Sequence, residues 1–361
     1  MMEERKAQLR FTVAFAAIVI AVPFVVYGDD ISREPVEHRP GGVIGQIELL
    51  VTEPDGTPVQ NAHVKAGFYN PRNRQPGFIN RTNEQGRCVV SGLTENEIRY
   101  RVFKDGYYKS KGVYSCVHAA HKQDIRVKNG YWQPRKPTVS VELRPIRNPI
   151  PMYVKEVSGF IPDQQKPCGY DLVEGDWVTP HGEGQTADIV ISAEGEYQDT
   201  QHRWTKTIFR FPNEHNGLLY FTVSDNKYGN YSDYIIPYYQ APTNGYKSEY
   251  THFSKLWGDI RNNVSSQDNV HFIFRIRSKV NQEDEVVEAL YGKIYGGMGG
   301  GIEWGGPRIG IGFTYYLNPT GTRNLEYDPP KNLFLQKDDG TFWRPSSPYA
   351  REHDEYIRGK P

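Results

Sequence analysis

Along most of the chain, apolar and polar residues alternate one by one. Val270–Val280 (VHFIFRIRSKV) sets Val270, Phe272, Phe274 and Ile276 against His271, Arg275, Arg277 and Lys279. Arg203–Phe211 sets Thr205, Thr207, Phe209 and Phe211 against Trp204, Lys206, Ile208 and Arg210. Ile309–Leu317 sets Ile309, Ile311, Phe313, Tyr315 and Leu317 against Gly310, Gly312, Thr314 and Tyr316. Successive side chains of a strand point to opposite faces, so this period predicts sheet with one buried face. Ala187–Tyr197 and Leu218–Val223 read as further strands. In the N-terminal half, Val43–Thr52, Val59–Phe68, Arg87–Val90, Arg99–Phe103 and Thr138–Leu143 predict shorter strands. Turns separate them at Pro54–Pro58, Asn83–Gly86 and Lys104–Gly106, where Gly takes positive φ and Pro stops pairing. One stretch breaks the period. Phe253, Leu256, Trp257, Ile260 and Val264 fall at i, i+3, i+4, i+7 and i+11, which predicts a helix near residues 250–264, capped by Ser248 or Thr251.

The first residues follow another rule. Phe11–Tyr27 is a run of seventeen residues without a charge, flanked by Arg5, Lys6 and Arg10. That length enters a bilayer, and the basic flank predicts the N-terminus inside. Two readings stay open: a signal peptide cut after Gly28, or a retained anchor. Both carry the body out of the cytoplasm and give the chain a membrane partner. The expectation is therefore an all-β chain, two β-sandwich domains after an N-terminal hydrophobic helix. Residues 1–30 are the signal peptide or anchor and 31–42 a linker. Residues 43–146 form the first domain, 147–168 a Pro-rich joint, 169–335 the second domain with its one helix, and 336–361 a polar tail.

Charge narrows the partners. Lys and Arg number 43, as do Asp and Glu, so the net charge is zero. A non-specific nucleic-acid binder needs a basic excess, so no nucleic-acid partner is expected. The cysteines are Cys88, Cys116 and Cys168, an odd number that allows one internal bridge at most. Cys88 and Cys116, both in apparent strands of the first domain, could form a disulfide after export; otherwise all three are buried or free thiols.

Candidate chemistry is sparse. Gly296–Gly306 (GGMGGGIEWGG) lacks the Gly-Lys-Ser/Thr ending of a phosphate loop and reads as a flexible loop. His118 and His121, with Asp124 following, have a spacing that seeds metal sites on helices, but they lie between strands without an evident further ligand. A glycosidase pair must lie about 5–10 Å apart in the fold; Asp171, Glu174, Asp176, Glu183 and Asp188 cluster in sequence, which turns and solvated surface also explain. No catalytic residue, metal or cofactor is assigned. Tyrosines crowd residues 228–250. Tyr234, Tyr238, Tyr239 and Tyr246, with Trp257 nearby, are the candidate ligand-binding set, since aromatic faces stack on sugars. Half-buried packing explains them equally in kind.

DGTPVQNAHV (Asp55–Val64), TNEQGRCVVSGL (Thr82–Leu93), YRVFKDGYY (Tyr100–Tyr108) and VSVELRPI (Val139–Ile146), in that order, resemble the carboxypeptidase regulatory-like domain. The resemblance implies a seven-stranded, prealbumin-like sandwich acting as an accessory module. The insertion Tyr69–Asn80 departs from that pattern. The zinc-carboxypeptidase chemistry found beside such domains needs His-x-x-Glu, and none of the ten histidines has Glu three residues on. GDWVTPHGEG (Gly175–Gly184), YGKIYG (Tyr291–Gly296), FTYYLNPT (Phe313–Thr320) and RNLEYDPPKNLF (Arg323–Phe334) resemble a motif set of uncharacterised exported bacterial proteins, which carries no activity with it. Together these imply a non-enzymatic cell-envelope module facing the periplasm or exterior, with glycan or an envelope protein as ligand. An enzyme acting on envelope polysaccharide through the second domain's carboxylates is the alternative. A subunit of a larger envelope assembly overlaps the first reading.

Overall fold

A computed structural model of the protein describes residues 43–69, 77–120, 126–222, 239–258, 260–263, 270–302 and 306–336. The hydrophobic run 11–27 lies outside them, and so do His121, Asp124, Tyr234, Tyr238 and nearly all of the polar tail. Among the described residues, no helix is long and apolar enough to cross a membrane.

The described chain is almost all β. The first domain contains β1 (Val43–Thr52), β2 (His63–Phe68), β3 (Phe78–Arg81), β4 (Arg87–Thr94), β5 (Glu97–Phe103) and β6 (Ser110–Ser115). A short helix α1 (Cys116–Ala120) follows, then β7 (Val127–Lys128), β8 (Tyr131–Trp132) and β9 (Thr138–Glu142). One sheet runs β4-β1-β8-β7, with β9 parallel to β1; the other runs β3-β2-β5-β6. Ile47, Leu49 and Val51 of β1, Val90 of β4 and Val139 of β9 face Val64 of β2 and Ile98, Tyr100 and Val102 of β5 across one core. Every second residue of β1 is buried, as the alternation predicts. Each large apolar side chain buried this way contributes about 1.5–3 kcal/mol. Gly86, at φ +69°, turns β4 back beside β1, where a Cβ would strike the Val51 carbonyl.

Cys88 and Cys116 are separate buried thiols, not a disulfide. Cys88 is the register partner of Leu49, whereas the Cys116 sulfur lies beside Gly45, four residues along the same strand. At about 3.3 Å per residue that offset is roughly 13 Å, and a disulfide needs Cα atoms within about 7 Å. Burial pushes the Cys116 thiol up to about 12.

The stretch 147–168, expected as a Pro-rich joint, is partly strand. Instead of a free joint, Ile150–Phe160 is strand β10, antiparallel to a later strand from Tyr153 to Phe160. Pro149 precedes the strand, Pro151 is its second residue and Pro162 follows it, so residues 153–160 keep their ladder donors. There follow β11 (Cys168–Asp171), β12 (Asp176–Trp177), β13 (Ile189–Tyr197), β14 (His202–Arg210), β15 (Gly217–Thr222), β16 (Glu249–Trp257) and β17 (Ile260–Asn263). The last strands are β18 (Val270–Val280), β19 (Val286–Ile302), β20 (Ile309–Asn318) and β21 (Tyr327–Asn332). Two six-stranded sheets result, β15-β18-β19-β20-β10-β21 and β12-β11-β13-β14-β16-β17. Phe272, Phe274, Ile311, Phe313 and Tyr315 of the first meet Ile189, Ile191, Phe209 and Tyr250 of the second in a shared core. A smaller core, with Met152, Ile273, Tyr316 and Tyr327, lies on the opposite face of the first sheet.

Where a helix was predicted at 250–264, the chain forms the β16–β17 hairpin, pairing Ser254–Trp257 with Ile260–Asn263. The helical spacing of Phe253, Leu256 and Trp257 is real, but burial at Tyr250 and His252 follows period two. Gly258, at φ +59°, reverses the chain, and Thr, His, Phe and Trp are weak helix formers.

Candidate functional site

Of the predicted aromatic set, Tyr239, Tyr246 and Trp257 are described, and the structure does not bring these three together. Tyr239 and Tyr246 belong to a segment covering the outer face of the β10/β18–β20 sheet. Their hydroxyls donate to the carbonyls of Pro145 and Pro242, both at 2.8 Å. The Arg147 guanidinium lies 3.9 Å from the Tyr239 ring centre, and Arg275 lies 4.6 Å from that of Tyr246. Backbone bonds Ala241 N–H to Arg323 O (2.7 Å) and Leu325 N–H to Tyr239 O (2.8 Å) hold the segment down. Burial pushes both phenols up. These tyrosines pack, and their polar tips are satisfied.

Trp257 lies in the other sheet, at the end of β16. Directly opposed residues of antiparallel strands share a face, so the pairings His202–Trp257, Trp204–Lys255, Lys206–Phe253 and Arg210–Glu249 define one outward row on β14 and β16. The pairings Glu196–Trp204 and Glu194–Lys206 extend it onto β13. The Trp204 and Phe253 rings stack at 6.2 Å and 29°, and His202 meets Trp257 edge-on at 5.2 Å. All three large rings are half-exposed, and none takes part in a core cluster. Around them Lys206 pairs with Glu194 (3.2 Å), Arg210 with Glu249 (2.9 Å) and His202 with Asp199 (2.9 Å). The Trp204 indole N–H donates to Glu196 at 3.4 Å. The Lys255 ammonium has no carboxylate partner among the described residues and sits 5.1 Å from the Trp257 ring centre. Chemically this is an apolar platform edged by hydrogen-bonding groups of both signs. Trp204, Phe253 and Lys255 were missed in the sequence. The alternation along β14 already placed Trp204 outward, but the helical reading of residues 250–264 hid its neighbours.

The clustered carboxylates resolve into a structural tie. Arg277 of β18 donates from Nε to Asp188 Oδ1 (2.9 Å), and from Nη2 to Asp171 Oδ1 (2.7 Å) and Asp188 Oδ2 (3.0 Å). Asp171 also accepts the backbone N–H groups of Val173, Glu174, Gln185 and Thr186. Burial pushes Asp171 up, but those amides outweigh it and hold the carboxyl below its ordinary pKa. For Asp188 burial prevails over Arg277, and its pKa is raised. Both carboxylates are almost wholly buried, at 2% and 1% exposed, with their lone pairs engaged. Asp176 accepts the N–H groups of Trp177 and Glu183.

The glycine run is strand rather than loop. Gly296–Gly301 lies within β19, which bulges between Tyr295 and Met298. Its glycines let the sheets approach closely. A Cβ on Gly299 would come within 2.9 Å of His252 Nε2, and one on Gly300 would strike Thr207 Oγ1. Gly300 N–H donates to His252 Nδ1 (3.2 Å), and burial holds the His252 pKa below its ordinary value. His118 is exposed on α1. No cluster of three metal-ligating side chains occurs among the described residues.

No protein-family model matches the chain, and no curated protein does. Solved structures match only distantly, with low TM-scores. A 3-chlorocatechol 1,2-dioxygenase from Rhodococcus opacus is 10% identical over 29% of this chain and 61% of its own, with a TM-score of 0.23. A streptococcal ancillary pilin is 11% identical over 63% of this chain and 57% of its own (TM-score 0.19). A DUF3823 family protein from Parabacteroides merdae is 7% identical over 65% of this chain and 91% of its own (TM-score 0.17). The chain thus spans about three-fifths of the dioxygenase and of the pilin. Likenesses this distant carry nothing over to activity, ligand or partner.

Proposed function

We propose that the protein is a non-enzymatic binding module of the cell envelope, its body outside the cytoplasm, and that the outer face of β13, β14 and β16 binds a glycan. The observation that carries this reading is the row Phe253–Trp204–Trp257. Three large rings stand half-exposed on a rigid sheet and support no core. Sugar rings present C–H faces that stack on such aromatics, while Lys206, Lys255, Glu194 and Glu196 are placed to bond hydroxyls at the rim. The accessory-type motifs of the first domain and the uncharged run 11–27 support the envelope setting. Against an enzyme acting through the clustered carboxylates stands the Arg277 tie, which engages Asp171 and Asp188 in holding the fold.

The test is binding of residues 40–361, which form one compact unit, to purified envelope polysaccharides by affinity electrophoresis and calorimetry. Retention by one of them, lost in Trp204→Ala/Trp257→Ala at unchanged melting temperature, is the expected result. Retention that survives the double substitution, or capture of envelope proteins with no polysaccharide retained, would overturn it.

A further inference from the structure

The outer face of the β3-β2-β5-β6 sheet collects positive charge. Register places His63 and Lys65 of β2, Ile79 and Arg81 of β3, and Arg99, Arg101 and Phe103 of β5 on one side, with Lys111 of β6 opposite Arg101. Lys109 joins them, its ammonium 5.9 Å from the Phe103 ring centre. Lys65 is 5.3 Å from that ring, and His63 stacks on it at 4.9 Å. Six cations thus share a face with one strand carboxylate, Glu97, which pairs with Arg99 at 2.6 Å. Among the described residues, Lys65, Arg81 and Arg101 take part in no ion pair. The other sheet of the same domain balances its charges: Glu48 is bridged by Arg87 and Lys136. In a chain of zero net charge, such a basic face raises the local positive potential and attracts anionic partners.

We infer that this face docks the first domain on an anionic lipid surface. Two observations favour lipid over a dissolved polyanion. Ile79, 68% exposed, stands amid the cations beside Lys65, and an apolar side chain ringed by basic ones suits the boundary between headgroups and acyl chains. The N-terminal sequence fits that choice: fifteen residues, 28–42, lie between the uncharged run 11–27 and β1, and where that run is kept as an anchor they tether the basic domain to a bilayer by at most about 50 Å of chain.

Residues 40–361 serve as the test protein, so the hydrophobic run cannot itself cause binding. They are sedimented with phosphatidylcholine vesicles with and without phosphatidylglycerol, at about 0.15 M salt, where screening is physiological. Binding to the phosphatidylglycerol vesicles and not to the neutral ones is expected. Each basic residue near an anionic surface adds enough that Lys65→Ala/Arg81→Ala/Arg101→Ala lowers partitioning about a hundredfold. Arg81 and Arg101 are exposed and Lys65 half-buried, and none lies in the core, so the melting temperature stays nearly unchanged; Trp204→Ala/Trp257→Ala, on a different sheet, leaves vesicle binding unchanged. Absence of phosphatidylglycerol binding, or binding that the triple substitution does not weaken, would overturn the inference. Retention of soluble polyphosphate or acidic polysaccharide without vesicle binding would do so too, assigning the face to a dissolved polymer. Glycan binding by the second domain is read separately, so either proposal can fail without the other.

Discussion

On the outer face of the β10/β18–β20 sheet, Tyr246, Tyr316 and Tyr327 lie beneath or within a covering layer that includes Ala241 and Leu325. On the outer face of the partner sheet, Trp204 and Phe253 stack on each other and Trp257 meets His202 and the Lys255 ammonium, and nothing described closes over them. The residue class is the same and the strands are equally regular, so aromatic content does not separate packing from display. What separates them is whether a following segment is tied down across the face. Residues 239–247 and 323–327 are, through the backbone bonds at Ala241 and Leu325 and the Arg323 guanidinium bond to the Ala241 carbonyl (3.0 Å).

The contrast is broken most severely at the tie between the two sheets. Arg277→Met leaves Asp171 and Asp188 buried without their cation, and removal of one member of such a cluster costs about 3–5 kcal/mol. Urea denaturation is expected to show that loss. A variant as stable as the parent would mean that the sheets are held by apolar contact alone. Tyr246→Ala, on the covered face, removes a ring packed against Arg275 together with its bond to Pro242. A loss of about 3 kcal/mol is expected in the same measurement, with glycan retention intact once the variant is folded. Loss of retention at full stability would instead place ligand contacts on the covered face.

The covered face also holds a cation. Lys293 is 7% exposed, and burial pushes its pKa down to about 8, with Glu326 opposing. Its folded pKa lies below its ordinary 10.5, so between these values the unfolded chain binds the proton that the folded chain has released. Stability therefore rises with pH from about 8 upward, until the buried tyrosines, whose pKa values are raised, reverse the slope above about 10. At pH 7 the folded state carries the full cost of the buried charge. Lys293→Met is expected to stabilise by about 3 kcal/mol, the order that the depressed pKa implies, and to flatten the rise. Melting curves at pH 7 and pH 9.5 check both. A destabilised variant would mean that the ammonium has a strong partner.

The strands were the most legible part of the fold, because one-face burial writes itself as period two. β1 begins and ends where its alternation does, and Phe272 and Phe274 enter the shared core as their phase requires, although β18, expected to have one buried face, is buried on both because a second core covers Ile273. Three readings failed where one local signal stood for two structures. The spacing at Phe253, Leu256 and Trp257 suits a helix face as well as a sheet row. The glycines at 296–301 suit a loop as well as a strand pressed against Thr207 and His252. The prolines around β10 suit a linker as well as a strand with prolines at its ends. The candidate site was legible only in part. Trp257 was found, but Trp204 joins its row through pairings some fifty residues apart in sequence, which no local pattern encodes, and Phe253, on the same strand as Trp257, was assigned to a helix. The basic face was hidden for the same reason: Lys65, Arg81 and Arg101 come from three strands in a chain whose charges sum to zero.

The smallest stability effect sharpens the contrast most. Trp204 opposes Lys255 across the strand pair and stacks on Phe253, but it fills no cavity and anchors no segment. Exposed cross-strand pairs contribute only about 0.2–1 kcal/mol, so Trp204→Ala is expected to change stability by about 0.5 kcal/mol. If the ring is a stacking surface, its loss removes about 1.4 kcal/mol or more of binding, a tenfold weaker affinity for the retained polysaccharide. Trp204→Phe keeps an apolar ring and should recover part of that affinity, while leaving the bond to Glu196 unmade. Calorimetry on the three proteins, with melting curves beside it, separates the outcomes. Affinity that follows the ring and not the stability marks the bare face as a binding surface. Affinity unchanged in all three would leave Trp204 as a solvated strand position, and the difference between the two faces would be one of cover without consequence for binding.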